Sequence, residues 1–284
     1  MRLAGAVTQG SGPVNEDGLG HIGKPDNISC AWIFDGVTGI NGRNYLPGTS
    51  DAAWLVGKAQ GHLETLASED MALEDIISKL VFALMADWRD VRPGLDLPGN
   101  YDPPAACLTL AKRYGQRWKA VRLGDSCLLA RSAMTGPITL AASPNNNFDH
   151  WLNGEAAKRR DAGQLDVKKL LAEFQPQLAA ARSLRNTSGG YSILEAHPVA
   201  IQFAEYIDLG LPEELLLCTD GYYRAVDYYS LFTDEGLVDA SAETGGVNRV
   251  LCDLRAVEAS DPDCQKYTRF KPADDATAVM LIGG

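Results

Sequence analysis

The sequence predicts an α+β fold in the form of a sheet sandwich, and three observations carry the prediction. Short apolar runs bounded by Gly, Pro and Asn recur as hairpin-like strands. Segments with helical apolar spacing come in pairs between groups of strands. Regular strand–helix–strand alternation, which a doubly wound parallel sheet requires, is missing.

Residues 2–8, 17–22 and 28–35 read as consecutive strands, the third carrying the apolar run Ala31-Trp32-Ile33-Phe34 that stops at Asp35. A Thr49/Ser50 cap opens a first helix, with Ala52, Ala53, Leu55, Val56, Ala59, Leu63 and Leu66 at core-facing spacings. A second helix over 73–91 has Ile76, Ile77, Leu80, Val81, Leu84 and Trp88 as its apolar stripe. After a turn-rich connector at 93–104, residues 105–114 and 118–123 read as a hairpin, continued by 127–130 beyond Gly124-Asp125-Ser126. From 143 to 185 the character changes. Asn145-Asn146-Asn147 opens a stretch with helical segments at 151–161 and 167–182, which reads as an inserted lobe. Strands are expected again at 191–196, 200–209 and 214–219, helices at 227–233 and 247–259, and a closing strand at 276–282.

The formal net charge of −11 argues against a general nucleic-acid binder, which needs a surplus of Lys and Arg to neutralise phosphates. The short cluster Lys158-Arg159-Arg160 reads as the solvated face of a helix. The first residues turn polar at Thr8-Gln9-Gly10-Ser11, too soon for the apolar core of a signal peptide, and no later run is long enough to span a bilayer. Cys30, Cys107, Cys127, Cys218, Cys252 and Cys264 are widely spaced without CxxC pairing, as expected for reduced core cysteines in a cytoplasmic protein. His21, His62, His150 and His197 fall outside every motif described below and read as surface or core histidines.

Function is carried by five acidic signatures, several of them at predicted strand ends: Asn15-Glu16-Asp17-Gly18, Phe34-Asp35-Gly36-Val37-Thr38-Gly39, Gly124-Asp125-Ser126, Cys218-Thr219-Asp220-Gly221 and Asp274-Asp275-Ala276-Thr277. Any one of them is an ordinary turn-forming string. Brought together, their carboxylates would resist ionisation unless cations lay between them, and oxygen ligands suit Mg²⁺ or Mn²⁺.

The order and context of these signatures resemble the metal-dependent protein phosphatases of the PP2C/PPM family, in its bacterial-type branch, over essentially the full chain. The resemblance implies a single domain over 1–284, a β-sandwich of two antiparallel sheets flanked by helix pairs in a four-layer αββα arrangement, and a flap-like insertion at about 143–190. It implies two Mn²⁺ or Mg²⁺ ions per chain. Asp35 would bridge them, with the Gly36 carbonyl, Asp220, Asp274, Glu16 and Asp17 as further ligands, and Asp125 at a third site. The implied activity is hydrolysis of phosphoserine and phosphothreonine monoesters in proteins by water activated between the ions, with no side-chain nucleophile. A phosphorylated protein substrate and a cognate kinase are the partners that follow; the sequence leaves the oligomeric state open.

Three positions depart from the family pattern. Gly12 stands where many members place a phosphate-gripping Arg, and the sequence names no replacement. Val37 stands where some have His. Arg224 stands where an acid often helps to hold a third ion, so its guanidinium would pair with Asp125 or reach substrate phosphate. Gly189-Gly190 reads as a flexible exit from the insertion. The second function compatible with these departures is a regulatory or scaffold protein that has kept the fold and lost turnover, and a third is a phosphatase of small metabolites.

Overall fold

A computed structural model describes residues 1–132, 136–140, 147–164 and 166–283. Residues 143–146, with which the expected insertion begins, lie outside the described residues. Three strands open the chain: β1 (Arg2–Gln9), β2 (Gly18–Lys24) and β3 (Asn27–Gly36). The helix pair α1 (Asp51–Leu66) and α2 (Leu73–Val91) follows, and then β4 (Ala105–Tyr114), β5 (Arg117–Leu123), β6 (Cys127–Ser132) and β7 (Gly136–Leu140). Next come α3 (Asn147–Asp161), α4 (Val167–Glu173), α5 (Gln175–Arg182) and the short β8 (Leu194–Glu195). The last third holds β9 (Glu205–Gly210), β10 (Glu214–Cys218), α6 (Asp220–Asp227), α7 (Asp234–Ala242), α8 (Gly246–Ala259) and β11 (Ala276–Ile282).

The strands form two sheets, ordered β1-β11-β10-β6-β7 and β2-β3-β4-β5-β9 with β8 on β4, and the named strand pairs are antiparallel. Period-two alternation decides what each strand buries. Ala31 and Ile33 of β3, Leu215 and Leu217 of β10, and Val279 and Leu281 of β11 pack in the layer between the sheets. Cys30, Trp32 and Phe34 face α1 and α2, while Leu216, Cys218, Ala278 and Met280 face α6 and α8. The chain is therefore a four-layer sandwich of helices, sheet, sheet and helices. That layering places the ends of β3, β10 and β11 beside one another.

Ser50 caps α1 by accepting a hydrogen bond from the Ala53 amide at 3.0 Å. Ser50→Ala is expected to cost about 1 kcal/mol, a fall in Tm of about 2–4 °C for a chain of this size, measurable by thermal unfolding.

Four segments differ from expectation. The helix expected at 227–233 instead begins at Asp220, since Gly221, Tyr222, Tyr223 and Ala225 make a buried helical face. An unforeseen helix, α7, starts at a Thr233 cap whose side chain accepts from the Gly236 amide. The strand expected at 200–209 begins only at Glu205, and residues 198–203 form a 3-10 helix, because Pro198 removes a ladder donor and the His197 side chain accepts the Val199 amide. The helical stretch at 167–182 also breaks at Phe174, just before Pro176 in the first turn of α5.

No helix among the described residues is long and apolar enough to cross a membrane. Arg159 pairs with Glu155 and Glu173, Lys158 with Glu155 and Arg160 with Asp161, so the basic cluster at the end of α3 is offset within its own neighbourhood. His62 pairs with Asp87 at 2.7 Å, apart from the acidic signatures.

Candidate metal centre

Four of the predicted carboxylates converge. Asp35, at the end of β3, is hydrogen-bonded to Asp220 at the start of α6 and lies within electrostatic reach of Asp17 and Asp274. Burial, and then the negative charge of Asp220, Asp17 and Asp274, pushes the Asp35 carboxyl well above its ordinary range. Asp17 is pushed up in the same direction, first by burial and then by Asp275, Asp274 and Asp220. Asp274 goes the other way. Burial opposes its charge, but Lys271 and Arg224 outweigh burial and hold its carboxyl below the usual value.

The glycines that follow two of these acids serve packing. A β-carbon on Gly36 would collide with the Glu16 backbone, and one on Gly221 would collide with the Asp275 carbonyl and meet the Asp274 β-carbon at 3.0 Å. Each Asp-Gly thus lets a second acidic signature approach closely, and the spacing of the acids depends on it.

Hydrogen bonds fix the remaining loops. Asp275 Oδ1 accepts from the Ser11 amide at 2.7 Å and the Ser11 hydroxyl at 2.9 Å, and Oδ2 accepts from the Glu16 amide at 2.7 Å. Thr38 donates to Glu16 Oε2 at 2.6 Å. Thr219 donates to Asp17 Oδ2 at 3.1 Å and accepts from the Thr277 amide at 3.0 Å, so one hydroxyl joins β10, β11 and the opening signature. The segment leading to Asp274 is held by Asp261, which accepts from the amides of Gln265, Lys266 and Tyr267 and pairs with buried Arg269 at 2.7 Å. Burial opposes ionisation of Asp261, but those backbone donors and Arg269 bring its carboxyl down to about 2.

Asp125 lies beside Asp35, and the residue between them is one the sequence did not single out. Cys107, the β4 register partner of Asp35, donates from Sγ to Asp125 Oδ1 at 3.2 Å. One ligand-competent atom from each of Asp35, Cys107 and Asp125 lies within 4.8 Å of the others. Burial, and then Asp125 and Asp35, pushes the Cys107 thiol well up, which keeps it protonated.

Arg224 pairs with Asp274 Oδ2 at 2.8 Å, a partner that the sequence did not suggest. Lys271 pairs with the other oxygen of the same carboxylate. Gly12 is exposed, with open space where a side chain would project.

The helices α3 to α5 are tied to this neighbourhood. Arg182, at the end of α5, donates to the Thr38 carbonyl at 2.7 Å and to Asp102 at 3.1 Å, and Arg185 donates to the same Asp102 oxygen at 2.7 Å. The exit expected to be a loose Gly-Gly joint is hydrogen-bonded: Asn186 donates to the Ile193 carbonyl and accepts from its amide, and Arg185 bridges to Tyr191.

The donor set fits divalent cations. The candidate ligands are hard oxygen donors, which suit Mg²⁺ or Mn²⁺. Asp17 Oδ1 is buried with no hydrogen-bond partner among the described residues, and two of the converging carboxyls are driven toward the neutral form by burial and then by the surrounding carboxylates. A cation between them would relieve both conditions.

No protein-family model matches the sequence, and no curated protein matches it. Solved structures do match. The Mycobacterium tuberculosis serine/threonine phosphatase PstP/Ppp superposes with a TM-score of 0.57 at 16% identity, covering 99% of this chain and 98% of that one. The S. agalactiae serine/threonine phosphatase gives 0.55 at 13% identity over 98% of each chain. Stp1 from Staphylococcus aureus gives 0.53 at 14% identity, covering 100% of this chain and 98% of its own. A PstP catalytic domain described in complex with two manganese ions gives 0.55 at 15% identity, over 97% of this chain and 95% of that one. At such identities the likeness establishes architecture, and the chain has the fold of the bacterial serine/threonine phosphatases, as the PP2C/PPM resemblance implied.

Proposed function

We propose that the protein is a Mn²⁺- or Mg²⁺-dependent serine/threonine phosphoprotein phosphatase acting on phosphate monoesters. The observation that carries the reading is the convergence of Asp17, Asp35, Asp220 and Asp274, with one buried carboxylate oxygen left without a partner among the described residues. Asp35, Asp220, Asp274, Glu16, Asp17 and the Gly36 carbonyl would hold two ions, with Asp125 beside them for a third. When bound, such ions supply an activated water and offset charge on the phosphoryl oxygens.

The residues of the chain do the positioning. Thr219 fixes Asp17, Thr38 orients Glu16, and Asp275 clamps the loop carrying Ser11 and Glu16 against the start of β11. Arg182 ties the α3–α5 segment, which we assign as the flap of a single 1–284 domain, to the loop after Asp35. A phosphorylated protein and its kinase are the partners this reading implies, in the cytoplasm. Release of phosphate from a phosphoserine or phosphothreonine peptide is expected to require Mn²⁺ or Mg²⁺ and to stop on chelation. Equal turnover with a chelator present would refute the metal dependence.

The phosphate clamp is incomplete, and the open space at Gly12 makes a direct test. Gly12→Arg is expected to lower KM for the phosphopeptide about 10-fold, since one charge-assisted contact is worth about 1.4 kcal/mol or more. Steady-state kinetics with unchanged KM would show that position 12 does not face the substrate phosphate.

A regulatory or scaffold role is the second reading, and the two cations already paired with Asp274 favour it. It predicts calorimetric binding of a phosphoprotein with no hydrolysis at saturating Mn²⁺.

A further inference from the structure

The acids of the centre are not equivalent. Asp17 keeps one buried oxygen without a partner among the described residues. Asp274 has neither oxygen uncommitted: Arg224 holds Oδ2 at 2.8 Å, while Lys271 and the Asp275 amide hold Oδ1, the amide at 3.0 Å. Arg224 comes from α6, one turn after Asp220, so the helix that delivers one acid also delivers the guanidinium that neutralises another. Lys271 comes from the loop carrying Asp274 itself, three residues earlier, and its side chain is 33% exposed.

We propose that Arg224 and Lys271 are resident counterions that compete with a divalent ion for Asp274. The inference rests on the metal-dependent reading of the site and adds the inequality of its binding steps. An ion that takes over Asp274 must displace an ammonium, a guanidinium or both. Exchange of two monocations for one dication leaves the charge facing that carboxylate unchanged, so the gain in Coulomb energy is small. At Asp17 and Asp35, which repel one another with no cation paired to either carboxyl among the described residues, the gain is large. Mn²⁺ therefore binds in unequal steps, and the step that recruits Asp274 is the weak one. Lys271, partly exposed and on a flexible stem, leaves more readily than Arg224, whose side chain is 12% exposed.

The test is a calorimetric Mn²⁺ titration at pH 8 of the wild type, Lys271→Met and Arg224→Gln, with circular dichroism as the check on fold. That pH keeps Asp274 ionised in the variants, where loss of its cations raises its affinity for protons. Each variant is expected to tighten the weak step at least about 10-fold, with Lys271→Met the less perturbing of the two. Mn²⁺ binding by the variants alone supports the proposal, since the resident cations would then block the site outright. Unchanged or weaker binding in both variants overturns it. If Mn²⁺-dependent hydrolysis persists beside that result, the phosphatase reading survives. Absence of Mn²⁺ binding in all three proteins overturns the proposal and the metal reading together.

Discussion

Asp35→Ala is expected to reduce Mn²⁺-dependent hydrolysis of a phosphopeptide by about 10³-fold or more. Asp35 is the carboxylate with contacts or electrostatic coupling to Asp220, Asp17 and Asp274, and it adjoins the Asp125–Cys107 pair. Its removal therefore disturbs every ligand set that the centre can form. A loss of about 4 kcal/mol of transition-state stabilisation corresponds to about three decades in rate. Asp220→Ala should behave alike, because it removes the hydrogen-bonded partner of Asp35. The effect belongs in kcat rather than KM, since neither side chain is proposed to touch the substrate. Circular dichroism distinguishes lost chemistry from lost fold, and full activity in both folded variants would refute the proposed mechanism.

The second large effect is on stability. Without metal, the raised carboxyls of Asp17 and Asp35 bind protons more tightly in the folded chain than in the unfolded one, where the ordinary value is 3.8. Stability is therefore lost as pH rises from about 4 through the raised values. Asp274 and Asp261 have the opposite sign, but their depressed carboxyls lose stability only as pH falls below the ordinary range. Between pH 5 and 8 the raised pair dominates. Each tenfold difference in proton affinity between the folded and unfolded chain is worth about 1.36 kcal/mol. In chelator, Tm should therefore fall across that interval. Mn²⁺ should restore Tm, most strongly at pH 8. Asp35→Asn in chelator should flatten the profile and raise Tm at pH 8. A metal-free Tm that rises steadily with pH would contradict the convergence of the acids.

The fold was legible wherever burial followed a simple period. The apolar stripes of α1 and α2 and the alternation in β3, β10 and β11 locate the layers, since each side chain's burial depends on its own element's geometry. Legibility failed after Asp220, where an Asp-Gly pair reads as a turn while the buried faces of Tyr222 and Tyr223 make it the start of a helix. The acids of the centre were visible because carboxylates at strand ends are chemically conspicuous. Cys107 was not, for it sits inside an apolar run and gains its role only through the pairing of β3 with β4. Lys271, and the bridging role of Thr219 within its signature, escaped notice for a similar reason: a hydroxyl or an ammonium has no distinguishing pattern until folding brings its partner.

The knot of Asp261 and Arg269 bears on how the centre is built in time. With three amides and a guanidinium gathered on one carboxylate, the segment approaching Asp274 is held by contacts that involve none of the proposed metal ligands, so its shape does not depend on an ion. The ordering entropy of that segment is lost in folding itself, so capture of an ion need not include it. Ions can then exchange while the backbone stays in place, and the scaffold outlasts its cargo.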